Sequence, residues 1–265
     1  MIMNNKMPSL FVSHGNPMLA LDAENGKDYR TWGKQLPKPK AILVFSAHWE
    51  EENLIFGETT NHDQLIYDFF GFPEALNKVQ YPAPGAPWLI NQVSELLNQN
   101  IQQSQRGLDH GVWVPLLHMW PEADVPILQM SLPTSYNNED LMKLGKHLAP
   151  LREQGIMIIG AGTLTHNLRE GLSGKHITTP HWVTEFDEWV TNTLLNNHDE
   201  LLNWEQAPYA KINHPTKEHF RPLLITVGAS STKDDITFPT AGYDMLVFSR
   251  LSVQFFLITY QLPAA

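Results

Sequence analysis

The sequence predicts an α/β fold: a single domain with a central mixed β-sheet, flanking helices, and a metal site at the carboxyl ends of the strands. Three short apolar runs, at 9–15, 41–49 and 156–166, have the composition of strands buried on both faces of a sheet. Each run has a histidine at or near its end, namely His14, His48 and His166. Open α/β sheets place ligands at the carboxyl ends of their strands, so these histidines suggest a metal site.

Further strands and the helices between them are predicted from apolar patterning. Additional strands are expected at 53–57, 125–132, 245–248 and 251–260. Helices are predicted at about 87–98 and 180–203 from apolar residues at helical spacing, at 137–154 from an amphipathic pattern, at about 26–35 in a polar region, at 216–227, and as a short apolar helix after 109–111. Gly155 is placed to cap one helix, and Pro222 lies near the first turn of another, where proline is tolerated. Because no repeat or linker interrupts this alternation, one α/β domain is expected.

An irregular stretch at 62–87 is dense in aromatic residues, proline and glycine. Such a composition is typical of an ordered loop that could wall a pocket. The residues around 67–72 could shelter a planar substrate, and plain core packing is the alternative.

Composition narrows the class of protein. The chain has 265 residues, 42% hydrophobic and 17% charged, which is ordinary for a globular enzyme. Its net charge of −10 makes nucleic acid or an anionic membrane surface an unexpected partner. No apolar run approaches the roughly 20 residues that span a bilayer, and no signal-peptide pattern precedes the first strand, so a cytoplasmic location is expected.

The chain contains no cysteine, which excludes disulfides, thiolate zinc sites, iron–sulfur clusters and cysteine nucleophiles. A bound metal must therefore be held by histidine or carboxylate, which points to Zn, Fe(II), Mn or a similar ion. Position singles out five of the twelve histidines as candidates: His14, His48, His110, His166 and His219. Asp109 could orient a neighbouring ring, and Asn167 could cap or tether the turn after His166.

The other histidines are expected to be structural or solvated. His118 falls on an apolar helical face and is assigned to the core, whereas His62 is ambiguous. Polar surroundings predict solvent exposure for the remaining five, His147, His176, His181, His198 and His214.

Six motifs occur in an order that resembles a known enzyme family. They are Phe11-Val-Ser-His-Gly-Asn-Pro17, Ser46-Ala-His-Trp49, Tyr81-Pro-Ala-Pro-Gly85, Leu108-Asp-His-Gly111, Thr165-His-Asn-Leu168 and Pro215-Thr-Lys-Glu-His-Phe220. Together they resemble the DOPA 4,5-dioxygenase group of the class III, LigB-type extradiol dioxygenases. The resemblance runs from about Met7 to the last strands and implies one catalytic domain over residues 1–265.

The resemblance implies non-haem Fe(II) that opens catechol rings with O2, and it assigns roles to the candidate histidines. His14 and His48 match two metal ligands. The third ligand of the wider class is a glutamate nine residues before a Gly-Ala pair, a place that His219 occupies here, with Glu218 as a fallback. His166 matches an acid–base residue or, in a zinc-filled site, a fourth ligand, and His110 matches a second catalytic histidine.

Alternatives to this interpretation remain at the sequence level. An all-histidine site also suits Zn²⁺, which has no redox chemistry and would leave the protein inert for ring opening. The alternative activity is a zinc-dependent hydrolase that uses the same histidines, with Glu218 as its base. A metal- or ligand-binding protein without turnover is a third possibility. Arg169 and Arg221 could bind a substrate carboxylate, although surface ion pairs are the expected use. The sequence leaves the oligomeric state open.

Overall fold

A computed structural model describes residues 6–257 of the protein, and within them the chain forms ten strands. In chain order they are β1 (Ser9–Ser13), β2 (Ala41–Glu51), β3 (Ile55–Phe56), β4 (Gln102–Gln103), β5 (Ile127–Pro133), β6 (Ile156–Gly162), β7 (Asp235–Thr237), β8 (Tyr243–Asp244), β9 (Phe248–Ser249) and β10 (Val253–Phe256).

Eight of these strands make one sheet in the order β4-β3-β5-β2-β6-β1-β10-β7. The four central strands, β5, β2, β6 and β1, are parallel to one another. On either side of them, β3 pairs antiparallel with β5, and β10 pairs antiparallel with β1. The sheet is therefore mixed, as predicted, and the carboxyl ends of its central strands lie at one edge.

Eight α-helices accompany the sheet in the described part of the chain. They are α1 (Lys27–Gln35), α2 (Leu89–Leu97), α3 (His110–Met119), α4 (Asn138–Leu148), α5 (Leu168–Leu172), α6 (His181–Asn196), α7 (Ala210–Asn213) and α8 (Arg221–Ala229). Short 3-10 segments occupy Pro17–Leu21, Glu74–Lys78, Ala149–Gln154 and His198–Gln206.

Strand residues alternate between two hydrophobic cores, one on each face of the sheet. Leu43 of β2 belongs to the core shared with α4, α6 and α8, whereas its neighbours Ile42 and Val44 belong to the core shared with α1 and α3. Successive strand side chains point to opposite faces, so a sheet covered on both sides needs apolar residues at every position. This explains why β1, β5 and β6 are buried throughout.

Several predicted boundaries were wrong, each for a local reason. The helix predicted at 180–203 breaks at Asn197, whose extended backbone (φ −158°) separates α6 from a 3-10 segment. The helix predicted at 137–154 becomes 3-10 from Ala149, where Pro150 supplies no backbone N–H. Gly155 then ends the segment at φ 90°, as predicted. Residues 216–220 are turns, and the helix begins only at Arg221.

The predicted terminal strands are shorter than expected. Met245 and Leu246 have positive φ angles of 49° and 62°, so they form the turn between β8 and β9 rather than a strand. The strand predicted at 251–260 is observed as Val253–Phe256, and 258–260 lie outside the described residues.

Over residues 6–257, no helix combines the length and apolar character that crossing a bilayer would require.

Candidate metal centre

The sheet brings histidines from remote parts of the chain to one edge. β1 and β2 lie on either side of β6, and all three strands run in the same direction. His14 follows β1 directly, His48 lies near the end of β2, and His166 comes four residues after β6. Their convergence at the carboxyl ends agrees with the predicted position of the site.

His48 projects from an irregularity in β2. Phe45 pairs with Met130 and Glu50 pairs with Leu132, so the residues between them bulge out of register with β5. Ser46 fixes this bulge: its Oγ accepts from the His48 backbone N–H at 3.1 Å and donates to Asp109 Oδ1 at 2.6 Å. Bulges re-aim side chains, and this one turns His48 toward His14.

His219 arrives from the turn before α8, which lies tightly against the end of β6. The Thr163 N–H donates to the His219 carbonyl oxygen at 3.1 Å. A Cβ atom at Gly162 would collide with that same carbonyl oxygen, so only glycine allows the close approach. The short side chains at the end of β6 therefore make room for His219.

The rings of His14, His48 and His219 form a nearly equilateral triangle. Their centroids are 4.9 Å, 5.4 Å and 5.0 Å apart for the pairs 14–48, 14–219 and 48–219. The Nε2 atoms of His14 and His48 are 3.3 Å apart. Two more rings adjoin the triangle: His110 lies 4.1 Å from His48, and His166 stacks on His219 at 3.4 Å with a 10° interplanar angle. All five candidate histidines are thus brought together.

Ligand atoms near the triangle also form two sets, which have no residue in common. Those of His14, His48 and His110 lie within 4.8 Å of one another, as do those of His166, Glu218 and His219.

Hydrogen bonds at Nδ1 show what the triangle can bind. His14 Nδ1 lies 2.7 Å from the Gly15 carbonyl oxygen, His48 Nδ1 lies 3.2 Å from Asp68 Oδ2, and His219 Nδ1 lies 2.8 Å from Glu218 Oε1. A carbonyl or carboxylate oxygen only accepts, so each Nδ1 carries the proton and each neutral ring has a lone pair at Nε2.

Two of these lone pairs oppose each other and the third has no partner. The Nε2 atoms of His14 and His48 lie 3.3 Å apart, where two neutral rings protonated at Nδ1 would repel, and His219 Nε2 is buried without a hydrogen-bond partner. Buried polar atoms are rarely left unpaired, and a divalent cation would satisfy all three at once. The residues present therefore fit a metal held by imidazole.

Burial keeps most of these rings neutral. Desolvation and the neighbouring histidines hold the pKa of His14 and of His219 well below the usual value. Desolvation also lowers the pKa of His110, and it lowers that of His166 to about 3. For His48, burial acts in the same direction, but the hydrogen bond that its Nδ1 donates to Asp68 and the negative charge of Asp109 outweigh it and raise the pKa. Neutral imidazole is the form that binds metal.

Asp68 is the important residue that sequence reasoning missed. Its Oδ2 accepts from His48 and its Oδ1 accepts from His110 Nδ1 at 2.8 Å. Burial opposes its charge, but these two hydrogen bonds lower the pKa of Asp68, which stays ionised. The only available signal was that Asp68 is the one acidic residue at 67–72.

The residues predicted to orient the rings act differently. Asp109 acts on His48 through Ser46: its buried oxygens accept from Ser46 Oγ and from Gln129 Nε2, each at 2.6 Å, and Ser46 Oγ accepts from the His48 backbone N–H. Asn167 caps α5 as predicted, accepting from the Glu170 N–H at 3.1 Å, and its amide donates to the Ile212 carbonyl.

The remaining histidines divide by burial. His118 is buried, as predicted, with Nε2 donating to the Leu19 carbonyl, and the ambiguous His62 is buried as well. The prediction that His214 is solvated was wrong: it is buried, donates from Nε2 to the Leu164 carbonyl and packs edge-on against both Trp204 and Phe220. His147 and His181 are exposed, whereas His176 and His198 are half-buried.

The two arginines considered for a substrate carboxylate differ in their surroundings. Arg221 is buried, not on the surface, and donates to Glu50 and to the carbonyl oxygens of Pro133 and Tyr136. Arg169 is exposed.

The aromatic stretch both packs against the core and borders the site. Tyr67 Oη donates to the Val79 carbonyl, and the Phe69 ring lies 5.8 Å from His110 and 6.3 Å from Trp113. The side chains of His48 and Asp68, 20% and 23% exposed, keep the site accessible on this side.

A helix-covered sheet with imidazoles gathered at the ends of its parallel strands is the arrangement of a protein with a non-haem metal site.

The sequence profile described as "Catalytic LigB subunit of aromatic ring-opening dioxygenase" matches residues 8–252. The chain is also 38% identical to proteins named 4,5-DOPA dioxygenase extradiol. For the one from Beta vulgaris the match covers 95% of this chain and 97% of the relative, and for the one from Escherichia coli K12 it covers 95% of each.

A solved structure shows the same architecture. The crystal structure of an uncharacterized protein from Escherichia coli K12 superimposes with a TM-score of 0.80 at 33% identity, covering 94% of this chain and 99% of that one. The chain therefore belongs to the LigB family of class III extradiol dioxygenases, which open aromatic rings with O2.

Proposed function

We propose that this enzyme is an Fe(II)-dependent extradiol dioxygenase that opens the ring of DOPA or a related 3,4-dihydroxyphenyl acid and inserts both atoms of O2. The observation that carries the proposal is the convergence of the His14, His48 and His219 rings, with the Nε2 atoms of the first two 3.3 Å apart and His219 Nε2 buried and unpaired. The substrate class is suggested by the relatives whose names specify DOPA.

In this proposal His14, His48 and His219 hold the metal. Bound Fe(II) would supply the redox chemistry that joins catechol to O2, whereas Zn²⁺ would fit the same nitrogen ligands without it. Asp68 and Glu218, hydrogen-bonded to the outer nitrogens of two ligands, would fix the ring orientations and offset the charge of the ion.

His166 and His110 are the proposed acid–base residues. A ring lone pair lies in the plane of its ring, and the planes of His166 and His219 are nearly parallel at a centroid distance of 3.4 Å. Two such planes do not share a point where one ion could bind both rings, which supports an acid–base role for His166 over that of a fourth ligand.

His110 is arranged to accept a proton. Its Nδ1 donates to Asp68, so Nε2 carries the lone pair, and its lowered pKa keeps the ring neutral at neutral pH. The ring can take a proton from a catechol hydroxyl and later return it to the leaving oxygen. Asp68 would then stabilise the imidazolium, and Phe69 would border the aromatic ring of the substrate.

The hydrolase alternative is less well supported by the contacts of Glu218. Glu218 Oε1 accepts from His219 Nδ1 at 2.8 Å and from Thr216 Oγ1 at 2.9 Å, so one of its two oxygens is committed to orienting a histidine. This carboxylate is placed to orient a ligand instead.

Anaerobic loading with Fe(II), followed by DOPA and O2, tests the proposal. We expect rapid formation of a yellow ring-opened product and uptake of one O2 per product, with no product from the Zn²⁺-loaded protein. Absence of product from the Fe(II)-loaded enzyme with DOPA and several other catechols would refute the proposal.

A further inference from the structure

We propose that Asp68 is a positioning residue that ties one metal ligand to one acid–base residue, so that a single carboxylate sets the geometry of both. This inference rests on the proposed function, because it takes His48 as a ligand and His110 as the proton acceptor. The two oxygens of Asp68 are divided between the rings: Oδ2 lies 3.2 Å from His48 Nδ1, and Oδ1 lies 2.8 Å from His110 Nδ1.

Asp68 is shared between two histidines, whereas His14 and His219 each have an Nδ1 partner of their own from an adjacent residue. His14 uses the carbonyl of the next residue, and His219 uses the side chain of the preceding residue. His48 and His110, by contrast, come from β2 and α3 and meet at a third segment. Within residues 6–257, Asp68 is the only carboxylate hydrogen-bonded to two site histidines.

Asp68 is held rigidly enough to act as a reference point. Ile66, two residues before Asp68, is hydrogen-bonded to α3 and to the segment that precedes it. The Ile66 N–H donates to the Leu108 carbonyl at 2.8 Å, and Trp113 Nε1 donates to the Ile66 carbonyl at 3.2 Å. Asp68 Oδ1 also accepts from the His110 backbone N–H at 3.2 Å. The loop and the start of α3 therefore move together.

The glycine after His110 keeps the two rings close. A Cβ atom at Gly111 would lie 2.8 Å from Ser46 Oγ and 2.9 Å from His48 Cδ2, which is too close for a side chain. Without one, the start of α3 packs directly against β2, and the two ring centroids approach to 4.1 Å.

An amide at position 68 is the sharpest substitution because it keeps the shape of the side chain. Two ring N–H groups need two acceptor oxygens, and asparagine offers one oxygen and one NH2 group. In Asp68→Asn, one ring must therefore lose its partner and its fixed tautomer. Removal of the outer hydrogen bond of a metal-ligating histidine typically costs 10- to 100-fold in metal affinity or activity.

The test compares Asp68→Asn with Asp63→Asn, a control that removes an exposed carboxylate five residues earlier. Affinity for Co²⁺ is measured by competition with a chromophoric chelator, and the Co²⁺ absorption spectrum reports the ligand geometry. We expect Asp68→Asn to bind Co²⁺ about 10- to 100-fold more weakly with an altered spectrum. At saturating Fe(II) we expect a lower kcat with little change in KM for the catechol, and wild-type values for Asp63→Asn.

A second variant separates positioning from general stability. In a His110→Gln background, Asp68→Asn should still weaken Co²⁺ binding but should lower kcat by a smaller factor than in the wild-type background, because its effect on proton transfer is already lost and only its effect through His48 remains. Wild-type Co²⁺ affinity and spectrum in Asp68→Asn, or fully additive losses of kcat in the double variant, would overturn the inference. Because the Co²⁺ measurements use no catechol, failure of the enzyme to open any catechol would reject the proposed function separately.

Discussion

The proton on each Nδ1 decides what a histidine of this site can do. Where Nδ1 donates to an oxygen, as at His14, His48 and His219, the lone pair of the neutral ring is on Nε2. Burial then keeps His14 and His219 neutral, because it lowers the pKa of both rings. The capacity of these rings to bind a metal therefore depends on the oxygens bonded to Nδ1, from Gly15, Asp68 and Glu218, as much as on the histidines themselves.

His166→Gln tests the division between ligands and acid–base residues. Glutamine does not titrate, so the variant should keep its metal and lose about 100-fold or more in kcat, the usual range for a general acid–base residue. Metal content per chain is measured by elemental analysis beside the turnover assay. His48→Ala is the matched comparison and should lose the metal, because it removes one corner of the triangle. Metal loss in His166→Gln would make His166 a ligand instead.

At the scale of elements, the site depends on the close contact between the end of β6 and the turn before α8. Gly160 and Gly162 allow this contact, since a Cβ atom at either would collide with a carbonyl oxygen, that of Pro222 or that of His219. The bulge in β2 performs the corresponding task for His48.

Gly162→Ala should therefore damage the site and the fold together. The added methyl group must displace the His219 carbonyl, and overpacking of this kind costs about 1–3 kcal/mol of unfolding free energy. Metal affinity should fall as well, because the displaced turn carries His219. Denaturant unfolding and chelator competition measure the two effects.

Gly33→Ala is the control, because its methyl group would collide with the Met119 carbonyl at the far end of α3. It should destabilise the protein without changing metal affinity. Equal metal affinity in Gly162→Ala and the wild type would show that the contact does not position His219.

For the whole molecule, neutral buried histidines make the stability sensitive to acid. Burial lowers the pKa of His214 to about 4, and the ring lies in the core with only a carbonyl partner. In the unfolded chain the same group titrates near 6.5. As pH falls from about 6.5 toward 4, the unfolded state takes up a proton that the folded state does not, so stability is lost.

His214→Gln should reduce this loss, because an amide can still donate to the Leu164 carbonyl but does not titrate. Between pH 7 and pH 5, the unfolding free energy of the metal-free wild type should fall by about 2 kcal/mol more than that of the variant. Denaturant unfolding at both pH values measures the difference. Identical losses in the two proteins would show that His214 is not held neutral by the fold.

The sequence predicted those features that depend on local composition. The central strands could be recognised because a strand buried on both faces must be apolar throughout, as in β1 and β6. His14 and His48 followed from their positions at strand ends. The family resemblance, confirmed by the profile match, supplied the catalytic class.

Features that depend on long-range contact could not be predicted in this way. Asp68 reaches its two histidines only because its loop folds back onto α3, and nothing in the local sequence specifies that path. His214 has polar neighbours in sequence but aromatic neighbours in space. Met245 and Leu246 are apolar like strand residues, yet they adopt positive φ angles in a turn.

The central claim is that His14, His48 and His219 hold one divalent ion through their Nε2 atoms. X-ray diffraction from crystals of the metal-loaded protein, recorded on both sides of the absorption edge of the metal, tests it directly. We expect a single anomalous peak about 2.0–2.1 Å from the three Nε2 atoms. A peak held by other side chains, or no peak among these three rings, would contradict the account.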